Sequence, residues 1–311
     1  DARCAPPCAA RLDLEAQLST VHEALGHREQ ALAHATKAVD IAGASFGADH
    51  PGTAVARFKL CIARDTLGDH DSALHDCTAA HDVLARALGE HNPETAVVLG
   101  MLGAVEIGAG KIEEGRAHMR QSHATLVEQV GPAHPDAIGV LANLGWSYVE
   151  RHEAQTAVEV VGPALRALAA HPEADPIGLA AIHHNYATAL IELGRNAEAV
   201  PSLQRAIALR SAVPGMRAEE LVNNRTQLGG ALFHSGRKAE AIAPLESAMY
   251  DERADDAIYN RVLRRYYLAA SLRDTDAGRA RRIADDALGF GADDVESAEI
   301  IAAIRELREQ L

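Results

Sequence analysis

Sixteen histidines and four cysteines are the side chains of this chain best suited to metal or redox chemistry, and their spacing decides whether they perform it. The stretch from His22 to His27, HEALGH, is one residue longer than the HExxH pattern that puts two imidazoles on one helix face for zinc. The extra residue turns His27 off the face of His22, and Gly26 marks a turn before it. His118 and His123 have the same five-residue offset and fail in the same way. His183 and His184 are adjacent, so they point to different faces of a helix. His50 and His134 recur in equivalent connecting segments, where a structural role is expected. Cys61 and Cys77 fall at apolar places and are expected to act as small hydrophobes, without a disulfide. Cys4 and Cys8 flank Ala-Pro-Pro; a bridge or a metal site is open there, but neither is expected. No phosphate loop, dinucleotide fingerprint or nucleophile elbow occurs in a strand–turn–helix setting. We therefore expect no catalytic residue, no metal and no cofactor.

Composition narrows the partners. A net charge of −14 repels phosphate backbones, so nucleic acid is not expected and a basic or neutral peptide is more compatible. Aromatic residues are only 4%, and alanine is abundant, which suits close-packed helices more than sheets. No stretch approaches the ~18 uninterrupted apolar residues of a membrane span. The expected setting is a reducing, cytoplasmic one. The chain opens on Asp1, which suggests a fragment or a processed product.

The elements that position these residues repeat. Turns fall at Gly26, Gly68, Gly110, His152, Gly194 and Gly236, a step of 42. Five residues after each stands a small residue: Ala31, Ala73, Gly115, Ala157, Ala199 and Ala241. Seven further on comes another, from Ala38 to Ala248, and a third precedes each turn, from Ser19 to Gly229. Apolar residues three and four apart put a stripe on each helix. Small residues at the crossing let two helices of a hairpin approach closely. One such hairpin cannot cover its own apolar face, so its neighbours must. Pro51, Pro93 and Pro135 keep the same step and start the next helix.

The stretches LANLGWSYVERHEAQTAVEVVGPAL and HHNYATALIELGRNAEAVPSLQRAIAL resemble the tetratricopeptide repeat (TPR). The usual unit has about 34 residues. The surplus lies in His/Asn-Pro linkers such as FGADHPGTA, the mark of the kinesin light chain type. The resemblance implies an all-α fold: a right-handed solenoid of about seven TPR-like hairpins over residues 12–290. It also implies a linker at 1–11 and a capping helix at 291–311 with a polar outer face.

The implied function is a non-catalytic scaffold whose concave groove takes a protein or peptide. The style of the later repeats also resembles the TPR tail of large bacterial serine/threonine kinases, whose recruiting arm this chain would then be. By the TPR register, Gln17, Lys59, Met101, Asn143, Asn185 and Gln227 occupy the groove place of six successive first helices, the last three forming a column of amides. An amide offers donors and an acceptor together, which suits a peptide backbone. The same register puts Trp146, His184 and Thr188 beside them. Trp146, the only tryptophan, is expected to pack in the interior, with a groove anchor as the alternative.

Overall fold

The computed structural model describes residues 6–171, 174–216 and 218–311, with the side chains of 6–8, 219 and 220 left out. Cys4 and the side chain of Cys8 lie outside the described residues. Every regular element among the described residues is helical, and seven consecutive helix–turn–helix pairs run along the chain before a last single helix. The fold is all-α, as expected. The chain divides into two compact units, Asp1–Ser147 and Tyr148–Leu311.

The first unit holds α1 (Pro6–Ala24), α2 (Arg28–Phe46), α3 (Pro51–Asp65), α4 (His70–Leu88), α5 (Pro93–Gly108), α6 (Ile112–Val130) and most of α7 (Pro135–Val149). Helix α1 starts inside the stretch expected to be linker. The Pro-containing linkers act as predicted. Pro51 and Pro93 sit in the first turn of their helices, where the missing N–H is not needed. The residue before each proline caps the helix: His50 Nδ1 accepts from Gly52 N at 3.0 Å, and Asn92 Oδ1 accepts from Glu94 N at 2.8 Å. His134 does the same for Asp136 N at 3.3 Å.

The crossing points are as tight as the small residues require. A Cβ on Gly103 would stand 2.5 Å from the carbonyl oxygen of Gly115, and one on Gly115 would stand 2.3 Å from that of Gly103. The equivalent crossing in α3–α4 overturns one expectation. Cys61 and Cys77, both fully buried, form a disulfide with a Cα–Cα distance of 5.4 Å. Their places are the ones that touch in other hairpins: Gly103 against Met119, and Gly229 against Leu245. Two thiols at so close a crossing lie within bonding reach.

A second correction concerns His22 and His27. The turn swings His27 back, so the two Nδ1 atoms lie 3.2 Å apart, and the ring of His22 stacks on His34. His34 in turn meets Glu15 at 2.6 Å.

The second unit holds α8 (Ala154–Leu168), α9 (Pro176–Glu192), α10 (Asn196–Ser211), a 3-10 turn (Ala218–Leu221), α11 (Val222–His234), α12 (Lys238–Tyr250), α13 (Ile258–Leu272), α14 (Ala277–Gly291) and α15 (Ala298–Glu309). Its core runs continuously from Ala187 to Leu307. Helix α15 closes that core with Ile301, Ile304 and Leu307 and leaves Glu299, Arg305 and Arg308 outside. It begins later than the sequence suggested, because Ser297 N and Oγ both donate to Asp294 and form a turn first.

One feature of this unit has no counterpart among the repeat signals. Arg264 and Arg265 are buried beside Glu252, at 2.5 and 2.6 Å. Burial pushes the Glu252 carboxyl up, but Arg265, Arg264 and Arg261 around it hold it below its ordinary value.

Candidate functional site

In the second unit α11 lies between α9 and α13, and the three helices line a cavity of about 510 Å³. Its walls carry amides, hydroxyls and aromatic rings. Gln227 and Thr188 face it, as the register predicts. Their orientation follows from donor bookkeeping. The Thr188 hydroxyl donates to the carbonyl oxygen of His184 at 3.0 Å. It can therefore only accept from Gln227, whose Nε2 donates to it at 3.3 Å. That leaves Gln227 Oε1 screened from solvent and without a hydrogen-bond partner among the described residues.

Asn196, in the first turn of α10, repeats the pattern. Its Nδ2 donates to the carbonyl oxygen of Gly194 at 3.2 Å, and its Oδ1 is left buried and unpartnered. An unsatisfied buried acceptor costs about 1–3 kcal/mol, and a turn of either amide toward the cavity would let a ligand donor offset it. Glu192 is the only charged residue lining the cavity, and the lining holds no lysine or arginine.

The α13 side is aromatic. Tyr267 packs against Phe233 with ring centroids 5.4 Å apart, and its hydroxyl lies 3.1 Å from His234 Nε2. Burial first, then Tyr259 and Tyr266, push the Tyr267 phenol up to about 12, so it stays neutral. Gly230 makes room for this ring: a Cβ there would stand 2.8 Å from Tyr267 Cε2. Tyr259 is 38% exposed and extends the wall toward solvent.

The other expected site residues lie elsewhere. His184 sits behind the groove. Asn224 Oδ1 accepts from Arg210 at 2.8 Å, so its Nδ2 donates to His184 Nδ1 at 3.2 Å. Burial and then Arg210 push the His184 imidazole down to about 4, and burial and Arg205 do the same for His183. Asn185 is 6% exposed and packs within the helix layer instead of lining the cavity.

Asn143, Trp146 and Lys59 belong to the first unit. Trp146 is 47% exposed, against the expectation that it packs inside. Lys59 borders two hollows. One, of about 330 Å³, is walled by Val55, Phe58, Pro93 and Val97; the other, of about 400 Å³, by Gln17, Thr20 and Val21. Sequence reasoning missed Asn196, Tyr259 and Tyr267. The last two stand in the seventh hairpin, which slips off the 42-residue step, so the register could not reach them.

Comparison with known proteins agrees with the fold. A tetratricopeptide-repeat family profile matches residues 10–75 and 178–249. The chain carries tetratricopeptide repeats. No curated protein sequence matches it. Three solved structures share the TPR fold at low sequence identity. The apo form of RapI aligns with a TM-score of 0.68 at 11% identity, over 95% of this chain and 80% of that one. A putative kinesin light chain of Podosopora anserina with nearly identical TPR-like repeats aligns at 0.55 and 19%, over 65% and 95%. A Rap protein complexed with Competence and Sporulation Factor aligns at 0.53 and 13%, over 98% and 99%. The TPR hairpins explain why the groove lies where it does: first helices of successive repeats stand side by side, so Thr188 and Gln227 meet across two of them.

Proposed function

We propose that the TPR hairpins of the second unit hold an extended segment of a partner protein in the groove of α9, α11 and α13, and that the chain works as a scaffold without catalysis. One observation carries the reading. Gln227 and Asn196 are each fixed by a donor obligation on one side and hold an unpartnered acceptor on the other. A peptide backbone in extended form supplies N–H donors along such a line. The rings of Tyr259 and Tyr267 add apolar contact area, the usual source of affinity in such interfaces. The Rap protein complex supports the reading by analogy of fold alone. The net charge of −14 disfavours nucleic acid as the occupant. The Cys61–Cys77 disulfide favours an oxidising compartment over the cytoplasm.

The reading is tested by selecting peptides from a random phage-displayed library on the whole chain. We expect selected peptides to lose about tenfold or more in affinity when Gln227 and Asn196 are both replaced by alanine, with the melting temperature nearly unchanged. Undiminished binding by the double variant rejects the groove.

A further inference from the structure

One turn in the chain breaks the repeat. Five of the six equivalent turns use glycine, with φ between 71° at Gly194 and 85° at Gly110. The remaining one uses His152, at φ 59°, the one non-glycine residue with positive φ among the described residues. A side chain in that conformation costs of order 1–2 kcal/mol, and a glycine there would cost nothing of the kind. Its ring is 86% exposed, so it contributes no core packing in return. It does reach the next hairpin, where His152 Nδ1 stands 3.3 Å from Glu192 Oε1.

Glu192 is the single charged residue of the groove, and it shares that lining with the unpartnered Oδ1 of Asn196. The two lie on either side of the α9–α10 turn. This end of the groove therefore offers acceptors only: the Glu192 carboxylate and, once its side chain turns outward, an amide oxygen whose own N–H₂ is committed to Gly194, with no lysine or arginine in the lining. The far end, at Tyr259 and Tyr267, is neutral and aromatic. The two ends ask for different groups.

We infer that the Glu192–Asn196 end of the groove is a subsite for an arginine or lysine side chain, and that the bound segment runs from this cation to an apolar residue at Tyr259 and Tyr267. The inference rests on the groove reading above. A guanidinium has several N–H donors in a fixed fork, enough to satisfy a carboxylate and a neighbouring amide oxygen together. His152 is the group that already sits on Glu192, and an incoming cation takes its place.

The test repeats the library selection on three forms of the whole chain: wild type, Glu192→Gln and His152→Gly. The glycine variant restores the residue of the other five turns, so it folds without strain. We expect most peptides selected by the wild type to carry Arg or Lys at one fixed place, about fivefold more often than the starting library. Glu192→Gln should erase that preference while still selecting peptides with an apolar anchor. His152→Gly should keep the preference and bind the same peptides a few-fold tighter, about the gain of removing one exposed competing pair. Selected peptides without a fixed cation, or a preference that survives Glu192→Gln, overturn the inference and leave the groove intact. Failure to select any peptide, or peptides indifferent to Gln227→Ala with Asn196→Ala, overturns the groove reading itself.

Discussion

The two units build their inner hollows on one repeat frame and furnish them differently. Around Lys59 the first unit offers Val55, Phe58, Pro93 and Val97, an apolar trough rimmed by Lys59, Glu94 and Asp136. In the second unit the same helix face offers Thr188, Gln227, Asn223 and Asn260 between a carboxylate and two tyrosines. Stability is also divided unequally. The first unit cross-links one hairpin with a disulfide. The second buries Arg264 and Arg265 against Glu252 and ties the α12–α13 connection to α13. A repeat sets which residues meet; it leaves open whether they meet as apolar contacts, ion pairs or unpartnered acceptors. Only the last kind asks for a ligand.

The sharpest way to break this contrast is at Glu252. Glu252→Ala removes the acid that both buried guanidinium groups share, leaving Arg264 only Asp256 and Arg265 only Asp286 as acidic partners, and should destabilise the second unit by about 3–5 kcal/mol, seen as an earlier urea transition. Replacing both Cys61 and Cys77 by serine should cost the first unit about 3 kcal/mol, given a sequence separation of 16. It should leave peptide binding in the second unit unchanged, which calorimetry on both variants would check.

Acid should act on the second unit by way of His183 and His184. Their folded values, near 4, lie below the unfolded value of 6.5. The unfolded chain therefore binds more protons between those limits. Stability is full above about pH 6.5 and falls as the pH drops toward 4. A denaturation series across that window should show a smaller fall when His184 is replaced by glutamine.

Gly230→Ala crowds Tyr267 and should cost about 1 kcal/mol in stability, with a larger proportional loss of peptide binding. His152→Gly has the smallest expected effect, a gain of about 0.5–1 kcal/mol in melting experiments. The relieved backbone strain is partly offset by the entropy of glycine in the unfolded chain.

Much of the frame was legible from spacing. The turn positions, the small residues at the crossings and the proline starts recur in phase, and each has a mechanical reason to do so. Partnership was harder to read. Cys61 and Cys77 were placed correctly in the core, but reading a bond needs the fact that their two places touch, which only Gly103–Met119 and Gly229–Leu245 make plain. The turn at Gly26 is legible in HEALGH, but spacing alone does not show that it brings His27 back against His22. Asn185 and Gln227 share a register place, yet one is buried and the other lines the groove. Register names a face, while the distance to the next helix fixes depth. The Arg264–Glu252 cluster had no sequence signal, because its acid comes from a connection outside the repeat.

The most direct test of the groove is where a selected peptide touches the chain. In a nuclear Overhauser experiment on the complex, the account predicts contacts from the side-chain amide protons of Gln227 and Asn196 to peptide backbone N–H groups, together with contacts from the Tyr267 ring. Contacts confined to Ala239, Glu240 and other exposed positions of α12, with Gln227 and Asn196 unaffected, would contradict it.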